Sequence, residues 1–287
     1  MNGNTPHLTP SPDQVPHHPT DLVPSPAIQV PGLEHLSHSR IQSYMGCSLR
    51  WKFHYVDRLP AAFTPAALAL GIAFHEAVEE GLAGMMVGTT PPVPDLVAIV
   101  ERSLTEQEKD IPVQYADEGG KPAVIELSER MLTAWVNWKR PDCRILAVEH
   151  AFELILAENL PPLVGRIDLV EEHKDCLLVV DVKTSKNKWS PQQVEEHSSQ
   201  LVLYREAVKT MAAELGKPIR LGWEIITKAK TPQVERIVVD QPEEAISRQV
   251  RIAQEVVRAI EASVFIPQTG WACASCPWAG PCREWGR

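Results

Sequence analysis

The residues with the most chemistry in this chain lie in one stretch, GRIDLVEEHKDCLLVVDVKTSK, residues 165–186. A two-residue turn at Lys174–Asp175 would fold it into a hairpin with Asp168 directly across from Asp181. Lys183, two residues beyond Asp181, would project from the same face roughly 7 Å along the strand. Two carboxylates and an ammonium would then meet on a face otherwise carrying Val170 and Val179, where unpaired charge is costly. A divalent cation such as Mg²⁺ or Mn²⁺ would account for the cluster, since hard oxygen ligands suit it. The bound ion polarises a phosphodiester and lowers the pKa of a water. Lys183 could orient that water or offset charge on the phosphate oxygens. A solvated hairpin with an Asp–Lys ion pair is the plainer reading, and D-x-K tripeptides occur often by chance.

Three further positions bear on the choice. His75, mid-helix in GIAFHEAVEEGL, could be a ligand or a core histidine. Glu149 in LAVEHAFEL could be a site carboxylate or an outward-facing residue. Gln200 and Tyr204 lie four apart on one helical face, where they could complete a site or simply pack.

The C-terminal WACASCPWAGPCREW sets Cys273, Cys276 and Cys282 close together in a loop, a pattern of metal ligands that needs a fourth from elsewhere. Cys47 is the natural candidate, ahead of Cys143 and Cys176, and spacing alone suggests zinc. Basic residues interleave with aromatics at Arg50, Trp51, Lys52, Phe53, Tyr55 and Arg58, and again at Lys186, Lys188 and Trp189. Lys228 and Lys230 follow a strand. Such mixtures suit single-stranded DNA, and equally a solvated loop over packed rings.

The elements that must position these groups follow from pattern. Residues 1–36 are rich in Pro, Ser, Thr and His and read as a disordered tail, leaving 37–287 as one folded domain. Ser37 should cap a short helix through Cys47. Helices are expected from Ala66 to Met86, with an apolar stripe of Ala69, Ile72, Ala73, Ala77 and Leu82, from Pro94 through Leu104, and from Ala123 to Trp138. Three strands follow, Arg144 to Ala157, Leu163 to Glu171 and Cys176 to Thr184, forming an antiparallel meander. A long helix from Pro191 to about Leu215, strands at Ile219–Thr227 and Val234–Val239, and a helix from about Pro242 to Ala262 complete an α/β architecture.

Composition is that of a globular protein, 44% hydrophobic and 23% charged. No apolar run reaches membrane-spanning length and no secretory signal is evident, so a reducing, cytoplasmic setting is expected, in which cysteines serve as ligands or free thiols. The net charge of −9 weighs mildly against nucleic acid as a partner, and any DNA contact must come from local basic clusters.

Taken in order, G-x-x-x-H (Gly71 to His75), G-x-x-D (Gly165 to Asp168), D-x-K (Asp181 to Lys183) and Q-x-x-x-Y (Gln200 to Tyr204) resemble the RecB-like branch of the PD-(D/E)XK nucleases. That branch includes CRISPR-associated RecB-like exonucleases and the AddB nuclease domain. The resemblance implies a restriction-endonuclease-like α/β core with a helical N-terminal elaboration. It implies Mg²⁺ or Mn²⁺ held by His75, Asp168, Asp181 and the Val182 carbonyl. Lys183 would be the catalytic lysine, with Gln200 and Tyr204 completing the site. Ile167 stands where the superfamily's name has proline. One cysteine before the core and three after it are similar to the iron–sulfur staple of these relatives, implying a [4Fe–4S] cluster on Cys47, Cys273, Cys276 and Cys282. The implied activity is DNA hydrolysis at single-stranded or duplex ends, by an exonuclease that could work beside a helicase or integrase; no G-x-x-x-x-G-K-[ST] loop is present in this chain. The rival is a non-catalytic DNA-binding or assembly module organised by iron–sulfur or zinc.

Overall fold

The computed structural model describes residues 33–115 and 119–286, so residues 1–32 of the expected tail lie outside the described residues. Leu36, counted with that tail, is buried instead and bridges in parallel to Leu163. The Ser37 hydroxyl caps α1 (His38–Gly46) as expected, accepting from the Arg40 N–H. Cys47 ends α1 and precedes α2 (Ser48–Trp51), which runs into a π-helical turn over Lys52–Val56. Next come β1 (Thr64–Pro65), α3 (Ala66–Met86), α4 (Val93–Asp110), β2 (Val113–Gln114) and α5 (Gly120–Val136). The sheet strands are β3 (Arg144–Leu154), β4 (Leu163–Glu172) and β5 (Leu177–Ser185), then β6 (Ile219–Thr227) and β7 (Val234–Val239). Between β5 and β6 lie α6 (Pro191–His197), α7 (Ser199–Ala207) and α8 (Lys209–Leu215). After β7 come α9 (Ala245–Glu261), a 3₁₀ turn (Trp271–Ser275) and α10 (Ala279–Glu284).

The five strands form one sheet in the order β3-β4-β5-β6-β7, antiparallel except for β5 against β6. A parallel neighbour requires a crossover, and α6 to α8 supply it. The hairpin closes as the sequence suggests. His173 N–H donates to the Cys176 carbonyl at 2.9 Å. The pairing Leu169↔Val180 leaves Asp168 and Asp181 at the next cross-strand position. One face of the sheet packs under α3, α4 and α5, where Phe74, Leu82, Leu96 and Trp135 meet Val180 and Val182. The other packs against α7 and α8 through Tyr204, Val208, Val179 and Trp223. A third cluster joins α1, α2, α7 and α9 through Trp51, Leu203 and Val257.

Three expectations change. The helix from Pro191 to Leu215 is broken into α6, α7 and α8. The Ser198 hydroxyl donates back to the Val194 carbonyl, competing with the ladder, and β-branched Val208 leaves helical geometry at φ −104°. Ile72 points outward, 43% exposed, rather than joining the α3 stripe. Trp51 and Phe53 are buried, so their role is packing and not base stacking.

Three acids lie wholly inside, Asp181, Glu171 and Glu224, and the last two share one ion network. Glu224 accepts from Trp135 Nε1 at 2.6 Å and from Arg140 at 2.7 and 2.9 Å, and it also pairs with Arg236. Burial pushes its carboxyl up, but the two guanidiniums outweigh that and hold it low. Glu171 shares Arg236, at 2.7 Å. This network pins β4, β6 and β7 to the end of α5.

Candidate active site

Four elements converge on one cleft. Mid-α3, His75 Nδ1 stands 3.7 Å from Asp168 Oδ2 on β4. Glu149 on β3 lies across from Asp168, between the pairs Val148↔Leu169 and His150↔Ile167. His75, Glu149 and Asp168 each offer a ligand atom, and these atoms lie within 4.8 Å of one another. The Val182 N–H donates to Asp168 Oδ2 at 2.7 Å, and the Val182 backbone also bonds to His75. Thus β5 turns its backbone towards the two side chains that its neighbours present.

Asp181 is fully buried, with Oδ2 2.5 Å from Lys183 Nζ. The Tyr204 hydroxyl also bonds to this carboxylate, so an ammonium and a phenol meet it inside the fold. Burial raises the Asp168 carboxyl well above its ordinary range, and the Asp181 charge raises it further. Burial pushes Lys183 down, but Asp181 and Asp168 outweigh it, so the ammonium stays protonated. Burial and Lys183 lower His75, leaving a neutral imidazole with a free lone pair. The donor set of one imidazole and several carboxylate oxygens fits a hard divalent cation.

Gln200 donates to the Tyr204 hydroxyl at 2.6 Å, and the Tyr204 phenol is raised by burial and then by Asp181. Both expected α7 residues therefore face this cluster. His38 went unnoticed in the sequence: Nε2 lies 3.0 Å from Ser199 Oγ, and burial, then Lys183, lowers its pKa to about 4. Nothing in a lone polar residue beside a helix cap signals such a position. His75, Asp168, Asp181 and Val182 thus lie together at one site, and the three ligand atoms within 4.8 Å of one another are those of His75, Glu149 and Asp168. The signal for Glu149 in sequence was only an acid in an apolar strand. Its backbone has φ 49°, unusual for a non-glycine residue.

The four expected cysteines also meet. Cys47, Cys273, Cys276 and Cys282 line one cavity of about 220 Å³ between α1 and the C-terminal turn. Backbone N–H groups of Gln268 and Gly270 donate to the Cys47 and Cys273 sulfurs at 3.5 and 3.4 Å. Burial raises the Cys282 thiol, and so do Cys47, Cys276 and Cys273. Among the described residues no three of these sulfurs lie within 4.8 Å of one another. A single tetrahedral zinc would draw them to about 3.8 Å. The ends are also joined without metal: Leu49 N–H donates to Ile266 O, Tyr44 OH to Val264 O and Trp278 Nε1 to Leu59 O. Cys143 and Cys176 lie apart from this group. Cys143 faces Glu171 and His173, but that carboxylate is already engaged by Arg236.

The model of the PD-(D/E)XK nuclease superfamily matches residues 35–283. The chain belongs to that superfamily. Nucleases of this superfamily generally use divalent metals such as Mg²⁺ or Mn²⁺, and the His75–Glu149–Asp168 triad beside Asp181 and Lys183 falls within the matched residues. Among solved structures, a "putative exonuclease" from Eubacterium rectale is similar over 89% of this chain and 89% of its own, at 14% identity and a TM-score of 0.52, a likeness of fold. SSO0001 is similar over 86% of this chain and 93% of its own, at 12% identity and a TM-score of 0.37, too loose to bear on the fold. No curated protein matches. None of the described helices is long and apolar enough to cross a membrane.

Proposed function

We propose that this PD-(D/E)XK nuclease is a RecB-like DNA exonuclease that hydrolyses phosphodiesters at DNA ends. His75, Glu149 and Asp168, with Asp181 and the Val182 carbonyl, would hold Mg²⁺ or Mn²⁺. Such an ion would supply Lewis-acid chemistry, polarising a phosphodiester and lowering the pKa of a bound water. The neutral His75 offers its lone pair without a proton to displace. Lys183, kept cationic by Asp181 and Asp168, offsets negative charge building on the phosphate oxygens. Gln200 donates to the Tyr204 hydroxyl, whose own proton bonds to Asp181, so the pair would hold that carboxylate in place.

The observation that carries this reading is the His75–Glu149–Asp168 triad, whose ligand atoms lie within 4.8 Å of one another beside the Asp181–Lys183 ion pair. The reading includes a [4Fe–4S] cluster on Cys47, Cys273, Cys276 and Cys282, whose side chains line one cavity. Its part is structural, because it closes a very long loop between the two ends of the fold. A cytoplasmic setting and a helicase or integrase partner belong to the same reading.

The test is Mn²⁺-dependent digestion of linear DNA beside a covalently closed circle of the same sequence. Loss of the linear form alone is expected. Equal cutting of both would replace exonuclease with endonuclease, and no cutting of either would remove the activity.

A further inference from the structure

We infer that Cys143, Glu171 and His173 form a binding site for Zn²⁺ at the β3 edge of the sheet, apart from the cleft and for a softer ion than the cleft takes. None of the three lines that cleft, so the site does not depend on the nuclease reading. The register of β3 and β4 builds it. Arg144 pairs with Glu172, so the next position outward sets Cys143 opposite His173. Glu171, two residues back along β4, projects from the same face. A thiol sulfur, an imidazole nitrogen and a carboxylate oxygen lie there within 4.8 Å of one another. His173 Nε2 stands 3.0 Å from Glu171 Oε2. Nitrogen and oxygen ligands at about 2.0 Å from a tetrahedral zinc would be about 3.3 Å apart, so this pair needs little movement. The frame around it is fixed: the His173 N–H donates to the Cys176 carbonyl at 2.9 Å, and Lys217 Nζ donates to the His173 carbonyl at 2.5 Å.

Arg236 already holds Glu171, at 2.7 Å. An ionised carboxylate has about four lone-pair positions, so the guanidinium leaves room for an ion. Carboxylates that ligate a metal are themselves commonly hydrogen-bonded from behind, which is the part Arg236 would play. The Cys143 thiol bonds to the same carboxylate, so its proton and the His173 ring both face the place an ion would take. Zinc binding would release that proton and leave a thiolate as ligand. The charge around the site is balanced beforehand, because Arg140 and Arg236 meet Glu171 and Glu224. Sulfur decides which ion enters. Thiolate and imidazole suit zinc, whereas the imidazole and carboxylates of the cleft admit Mg²⁺ or Mn²⁺. Three protein ligands leave the fourth zinc position to water. Bound there, the ion would tie the start of β3 to the turn between β4 and β5.

The test is alkylation of the full chain by N-ethylmaleimide in EDTA, across a Zn²⁺ titration and with Mg²⁺. Mass spectrometry reads each cysteine separately, so zinc taken up by the C-terminal cysteines does not enter the result. At a Zn²⁺ concentration about tenfold above the dissociation constant, labelling of Cys143 should slow about tenfold, following the fraction of free site. Mg²⁺ should leave the Cys143 rate unchanged, and Cys176 should react at one rate throughout. His173→Gln keeps a donor for Glu171 but offers no imidazole, and it should lose the zinc protection at Cys143. His173→Ala should do the same through a second substitution, with melts in EDTA showing that each variant is folded. Absence of zinc protection at Cys143 in wild type would overturn the inference. So would protection that survives in a folded histidine variant, that Mg²⁺ reproduces, or that Cys176 shares.

Discussion

Glu149 holds a left-handed backbone, φ 49°, in the middle of strand β3. For a residue with a Cβ this conformation costs about 1–2 kcal/mol. Its carboxyl is pushed up by burial and by Glu79, so the ionised form is itself disfavoured in the metal-free fold. Two costs at one residue mark a position kept for what it does. Two substitutions separate them. Glu149→Ala removes the carboxylate and keeps the strained backbone. Glu149→Gly removes both. The glycine variant should therefore be more stable than the alanine variant by about 1 kcal/mol, or roughly 2–4 °C in melting temperature for a chain of this size. Both should lose the stabilisation that Mn²⁺ confers on wild type. Thermal melts in EDTA and across a Mn²⁺ titration measure the two effects separately. An alanine variant as stable as the glycine variant would refute the strain argument. A wild-type Mn²⁺ response in either would remove Glu149 from the ligand set.

Asp168 has a folded pKa raised by burial and by Asp181, so its contribution to stability is present at acid pH and lost as pH rises through that value. Protons and metal compete for it, so the Mn²⁺-induced rise in Tm should grow as pH rises; a response flat in pH would contradict this. Glu224→Gln weakens both pairings of a fully buried carboxylate and should cost about 3–5 kcal/mol in chemical denaturation; an unchanged midpoint would show that the network does not hold β6 to α5. Anaerobically purified protein should be brown, with absorbance near roughly 400 nm. Cys47→Ser should lose its iron while Cys143→Ser and Cys176→Ser keep theirs. Full iron in Cys47→Ser would displace it as the fourth ligand.

Much of the fold was legible because local signals agreed. The apolar repeat marks α3 from Ala66 to Met86, and the turn at Lys174–Asp175 sets the register that brings Asp168 to Asp181. The breaks at Ser198 and Val208 were not legible, since a helical period survives both while the backbone does not. Nor was the outward turn of Ile72, because an apolar residue on a helical stripe is read as core whether it meets core or a cleft. Glu149 was visible only as an acid among apolar neighbours. What makes it part of the site is its place opposite Asp168, between two paired positions, which only the folded sheet creates. His38 reaches Ser199 across 161 positions of sequence, beyond any local pattern.

The most direct test compares wild type with Asp168→Asn on end-labelled linear DNA in Mn²⁺, after melts have shown that both are folded. Wild type should shorten the DNA, and Asp168→Asn, nearly isosteric but lacking the ligand charge, should leave it whole while keeping its iron. Cleavage by Asp168→Asn at the wild-type rate would contradict the account.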